Sequence, residues 1–80
     1  MTNATATADT NPTFATTAEN CLTRANRYLA AVAAGTPVTY RARREAESAV
    51  QSALFWFRGA GNAEGIERAR RVGSEVNATR

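Results

Sequence analysis

The tetrapeptide Arg-Ala-Arg-Arg occurs twice, at Arg41–Arg44 and at Arg68–Arg71, and arginine is the only cationic side chain present: all 10 basic residues are Arg, with no lysine and no histidine. A guanidinium stays charged and donates hydrogen bonds in a planar fork that suits carboxylates and phosphates. It neither accepts a proton near neutral pH nor forms a Schiff base, so the chemistry on offer is electrostatic recognition rather than proton transfer. Cys21 is the single cysteine. It has no histidine to activate it and no second thiol for a disulfide or a zinc cluster, and it reads as a small buried or half-buried thiol. The acidic residues lie mostly among arginines, with no isolated carboxylate pair of the glycosidase kind. Gly59-Ala60-Gly61 is too short for a phosphate loop and lacks its lysine. The expectation is a non-enzymatic protein without metal or cofactor.

Whatever positions the arginines must be helical. Residues 1–13 alternate Thr, Ala and Asn with almost no large apolar side chain and read as a flexible Thr/Ala-rich tail. Residues 14–80 read as a single helical domain. Thr16, Thr17, Ala18 and Glu19 match a capping box, after which Ala18, Leu22, Ala25, Leu29 and Val32 recur at helical spacing until Gly35 and Pro37. A second helix begins near Thr36 or Thr39 with Ala46, Val50, Ala53, Leu54 and Phe57 as its buried stripe. Gly59-Ala60-Gly61 breaks it, and Asn62 is the N-cap of a third helix with Ile66, Ala69, Gly73 and Val76 on one face. The expected fold is all-α, a small three-helix bundle with helices at about 16–34, 38–58 and 62–77, or two long helices with a looser third. Gly65 and Gly73 make the third helix the weakest, and Gly73, lying on the apolar stripe, marks a close helix crossing.

The two tetrapeptides differ in context. In the third helix Glu64 precedes Arg68 and Glu67 precedes Arg71 by four residues, the favourable order, so a solvated salt-bridge ladder accounts for the second copy. In the first copy Arg41, Arg43 and Arg44 occupy the opening turns of a helix, where the exposed N–H groups disfavour cations, and they precede Glu45 and Glu47 in the weaker order. Projected at 100° per residue, Arg41, Arg44, Ser48, Ser52 and Phe55 form a ridge opposite Val50 and Phe57, with Trp56 at its margin. Phe55-Trp56-Phe57 cannot all face one core. Phe55 is left either exposed or covered by Ile66 and Val72, the tail or a partner.

Three classes of function meet this pattern unequally. The first is docking onto a partner protein, as an inhibitor, adaptor or assembly factor, through Arg41, Arg44, Ser48, Ser52, Phe55, Trp56 and Arg58, since Arg and aromatic side chains concentrate where binding energy does. In size and simplicity the chain resembles the accessory proteins of bacteriophages, including inhibitors of host defence such as anti-CRISPR proteins. The second is weak nucleic-acid binding through Arg43, Arg68, Arg70 and Arg71, suggested by the net charge of +3 and a pI near 10. Against it, the third helix opens with Glu64 and Glu67, where a recognition helix would meet phosphate. The third, an enzyme, lacks the residues. A membrane surface fits poorly, because aromatics and arginines occupy successive zones of one helix rather than opposite faces. No run approaches the roughly 20 apolar residues of a span, and with one cysteine and no secretory signal the expected setting is cytoplasmic. Cys21 and Tyr28, one heptad apart, either flank the core or line a homodimer seam.

Overall fold

The computed structural model describes residues 12–79. They form three helices, α1 (Pro12–Ala33), α2 (Tyr40–Ala60) and α3 (Ala63–Ala78), with no strand among the described residues. The flexible tail expected over residues 1–13 falls outside the described residues except for Pro12 and Thr13, which are helical.

The connections are set by local backbone chemistry. Gly35 takes φ +102°; its N–H donates to the Val32 carbonyl (3.0 Å) and the Thr36 N–H to the Ala31 carbonyl (2.9 Å). That pair of bonds satisfies two orphan carbonyls and turns the chain sharply, which a side chain at φ > 0 would resist. α2 ends by the same device, with Gly61 at φ +69° and the Gly61 and Asn62 N–H groups donating to the Arg58 and Phe57 carbonyls. The starts are capped by side chains. Thr39 Oγ1 accepts from the Ala42 N–H (3.1 Å) and Asn62 Oδ1 from the Gly65 N–H (2.8 Å). α2 therefore runs through Gly59 and Ala60 before stopping, two residues beyond the expected end.

The capping box expected at Thr16–Glu19 does not form. α1 begins four residues earlier, with Pro12 in its first turn, where a missing N–H costs nothing. Thr17 instead hydrogen-bonds back to the Thr13 carbonyl (3.0 Å) from within the helix. The extension has a tertiary cause: the Phe14 ring lies 5.1 Å from that of Trp56, and Gly59 lets it approach the α2 backbone. A local motif gives way to burial of an aromatic side chain.

The helices pack up, down, up. Glu19 pairs with Arg68, and the Tyr28 hydroxyl meets Thr79 Oγ1 at 2.6 Å, so α1 and α3 run parallel with α2 antiparallel to both. The core is small and rich in alanine: Ala18, Cys21, Leu22 and Ala25 of α1, Ala46, Ala49, Val50, Ala53, Leu54 and Phe57 of α2, and Ala69 and Val76 of α3. Leu29, Ile66 and Val72 pack against it partly buried. The whole expected stripe of α2 is buried, as is most of that of α1.

α3 fits closely because it is thin where it crosses. A Cβ on Gly73 would lie 3.1 Å from Val50 Cγ1, so this glycine does mark a close crossing. Gly65 marks a closer one. A Cβ there would lie 2.5 Å from Cε1 and 2.7 Å from Cγ of the fully buried Phe57 ring. The glycine that weakens the isolated helix is the one that admits the largest buried side chain.

Candidate docking surface

The outer face of α2 is built as the projection requires. Val50 and Phe57 face inward, 3% and 0% exposed, while Arg41, Arg44, Ser48, Phe55 and Arg58 are exposed and Ser52 is half-buried. Phe55 retains 64% of its exposure and is not covered by Ile66 or Val72. Its ring stands edge-on to Trp56, centroids 5.0 Å apart, and Trp56 in turn tilts against Phe14 at 5.1 Å. An aromatic chain thus runs from the solvent-facing back of α2 across its flank to the first turn of α1. Trp56 packs partly buried against the core, so the exposed Phe55 ring rests by its edge on a side chain fixed to the bundle.

The arginine end of the ridge differs from expectation. Arg41 pairs with Glu45 at 3.4 Å, Arg43 with Glu47 at 2.9 Å and Arg44 with Glu47 at 3.3 Å. The weaker sequence order does not prevent pairing, because an arginine side chain reaches either three or four residues along a helix, and one carboxylate can accept from two guanidinium groups. Arg43 also lies 6.0 Å from the Tyr40 ring centroid. The first tetrapeptide is therefore an intrahelical ion-pair ladder, with exposed pairs worth about 0.2–0.5 kcal/mol each.

The second tetrapeptide reverses its expected role too. Arg68 pairs not with Glu64 but with Glu19 of α1, its terminal Nη1 and Nη2 each donating to one carboxylate oxygen, and lies 5.5 Å from the Phe57 ring centroid. The hydrogen bond to Glu19 raises the Arg68 pKa above its ordinary value; burial opposes this, and the charges of Glu19 and Glu64 add to it. Arg71 and Glu67 form no ion pair with one another. Arg68 thus points toward α1, where an outward ladder was expected. Its helical position at the edge of the α3 stripe lets a long side chain reach across Phe57.

Of the four arginines suited to nucleic acid, Arg43 and Arg68 are committed to carboxylates, which leaves Arg70 and Arg71 exposed and unpaired among the described residues. Arg70 and Arg44 flank a groove of about 610 Å³ between α2 and α3. Cys21 is buried, and the half-buried Tyr28 packs on the core with its hydroxyl on Thr79, so within one chain the pair flanks the core. Among the described residues no group of three His, Cys, Asp or Glu side chains converges on a metal position. No described helix is long and apolar enough to cross a membrane.

One feature was missed in the sequence. Arg24 and Arg27 lie on the exposed side of α1 and have no ion pair among the described residues. They form one bank of a groove of about 590 Å³ between α1 and α2, whose floor is Ala31, Val32, Ala42, Ala46 and Ala49. The signal was present: neither arginine has a carboxylate three or four residues away on its own helix.

No protein-family model, no curated protein and no solved structure matches this chain.

Proposed function

We propose that this chain is a small non-enzymatic docking protein that presents the outer face of α2, anchored by Phe55 with Trp56 and Arg58 beside it, to a partner protein. It would act as an inhibitor, adaptor or assembly factor. The observation that carries the reading is Phe55, 64% exposed on a helix whose core stripe is complete without it. A lone exposed apolar side chain is ordinary. One continuous with Trp56 and Phe14 makes a patch, and patches of aromatic side chains with arginine at the rim are where interface energy concentrates. Arg58 is the arginine of this ridge without an ion pair among the described residues, so it is free for a partner carboxylate. Arg41 and Arg44, satisfied by Glu45 and Glu47, contribute at the rim.

The test is affinity capture from the native host, with and without nuclease, comparing the full chain with Phe55→Ser. A protein partner that survives nuclease and is lost with Phe55→Ser supports the reading, provided the variant melts within a few degrees of the parent. Capture that depends on nuclease-sensitive material, or that ignores the substitution, refutes it.

A further inference from the structure

We infer that the open crease between α1 and α2 receives an acidic amphipathic helix of the partner protein, with carboxylates of that helix pairing with Arg24 and Arg27. This deepens the docking reading and rests on it.

A helical hairpin has two creases. α3 fills one, entering closely because Gly65, Ala69 and Gly73 keep its inner face thin. The other crease is covered by no helix among the described residues and is built on the same plan from the opposite side. Its floor is mostly alanine, Ala31, Ala42, Ala46 and Ala49, low enough on the α2 side to let another backbone lie close, with Val32 and Tyr28 on the α1 side, and its volume is about 590 Å³. A helix laid there would make a four-helix arrangement in which both flanks of the hairpin are buried.

Charge decides which helix. Arg24 and Arg27 stand on the α1 bank without partners among the described residues, and the single acid on the opposite bank, Glu45, faces Arg41 at 3.4 Å, so the arginines about the crease outnumber its one carboxylate. The crease therefore carries a surplus of positive charge over an apolar floor, which selects an occupant with carboxylates flanking an apolar stripe. Ser48 and Ser52 leave the α2 bank low, and one turn beyond Ser52 stand Phe55 and Trp56. From Ala42 to Ser52 the crease is about 15 Å long, and the further turn of α2 that carries Phe55 and Trp56 brings the line to about 21 Å, the length of a helix of about 14 residues. Such a helix would place a large apolar side chain on the Phe55–Trp56 pair at one end and its carboxylates at Arg24 and Arg27.

The probe is a blocked synthetic peptide of about 16 residues, with leucine at helical spacing and glutamate on the remaining positions. Its counterparts are the same peptide with lysine in place of glutamate and a single-stranded oligodeoxynucleotide of about 20 nucleotides. Binding to the full chain is read by fluorescence of Trp56, the single tryptophan, and by methyl resonances of Ala42 and Ala49. The glutamate peptide should bind and shift both methyls, the lysine peptide should bind at least tenfold more weakly, and Arg24→Glu with Arg27→Glu should weaken the glutamate peptide at least tenfold at unchanged melting temperature. Arg24→Gln with Arg27→Gln should give an intermediate loss. Equal binding of both peptides, unshifted methyls, or tighter and steeply salt-dependent binding of the oligonucleotide overturns the inference. Native capture separates the two levels. If Phe55→Ser abolishes it while the Arg24/Arg27 double variant leaves it whole, the crease inference fails and the docking reading stands; if neither changes it, both fail.

Discussion

Replacing Gly65 with alanine should lower the melting temperature even though it improves the helix. On propensity alone the change gains at most about 1 kcal/mol, and less near a helix start than in the interior. Against this, the new Cβ would lie 2.5 Å from Cε1 and 2.7 Å from Cγ of Phe57. Ordinary carbon contacts are about 3.5–4.0 Å, so the ring and the helix must separate by about 1 Å. Phe57 is fully buried and Gly65 sits on helix backbone held by the Asn62 cap, so neither has free space to retreat into. Overpacking of this kind costs about 1–3 kcal/mol. The upper part of that range, less the propensity gain, leaves a net loss of about 1–2 kcal/mol, or about 4–16 °C for a domain of this size. Gly73→Ala is the internal control. Its Cβ would meet only the Cγ1 methyl of Val50 at 3.1 Å, and a small adjustment relieves that contact, so its melting temperature should hold or rise. Thermal melts of the two variants by circular dichroism make the comparison. A Gly65→Ala protein that melts at or above the parent would mean that α3 is not seated on Phe57 as described.

Three further outcomes follow from the packing. Tyr28→Phe removes the hydroxyl that meets Thr79 Oγ1 at 2.6 Å and should cost about 0.5–1.5 kcal/mol, with faster amide exchange confined to the last turn of α3. Glu19→Gln breaks the half-exposed pair with Arg68 and should cost no more than about 1 kcal/mol, with the loss shrinking in high salt. On the arginine side that pair is insensitive to pH over the working range: a cation whose folded pKa is raised contributes fully below its unfolded value, which for a guanidinium lies far above neutral, and loses the contribution only as pH climbs through the raised folded value. Cys21 is 6% exposed, so its reaction with a bulky disulfide reagent should be slow in the native protein and rise in step with denaturant-induced unfolding; rapid native labelling would contradict its place in the core.

The order of helices, the stripe of α2 and the stop at Gly35 are legible in the sequence because each depends on residues within one or two turns: apolar spacing, a side-chain cap, a glycine at positive φ; that α2 stops at Gly61 rather than at Gly59 is not. That three consecutive aromatic residues on a helix cannot share a face is legible too, but whether Phe55 is exposed or covered is decided only by the packing, which leaves it 64% exposed. What tertiary structure alone decides is which competing partner wins. Phe14 draws the start of α1 upstream past a plausible capping box, Glu19 takes Arg68 away from Glu64, and Glu47 gathers Arg43 and Arg44. An arginine has several carboxylates within reach along the chain, all of nearly equal local worth, and the choice falls to whichever helix is packed alongside. The crease between Arg24 and Ser52 exists only once two helices lie antiparallel. One-dimensional spacing shows which residues face outward; the depth of the space between them is set by how closely the alanines let the helices approach.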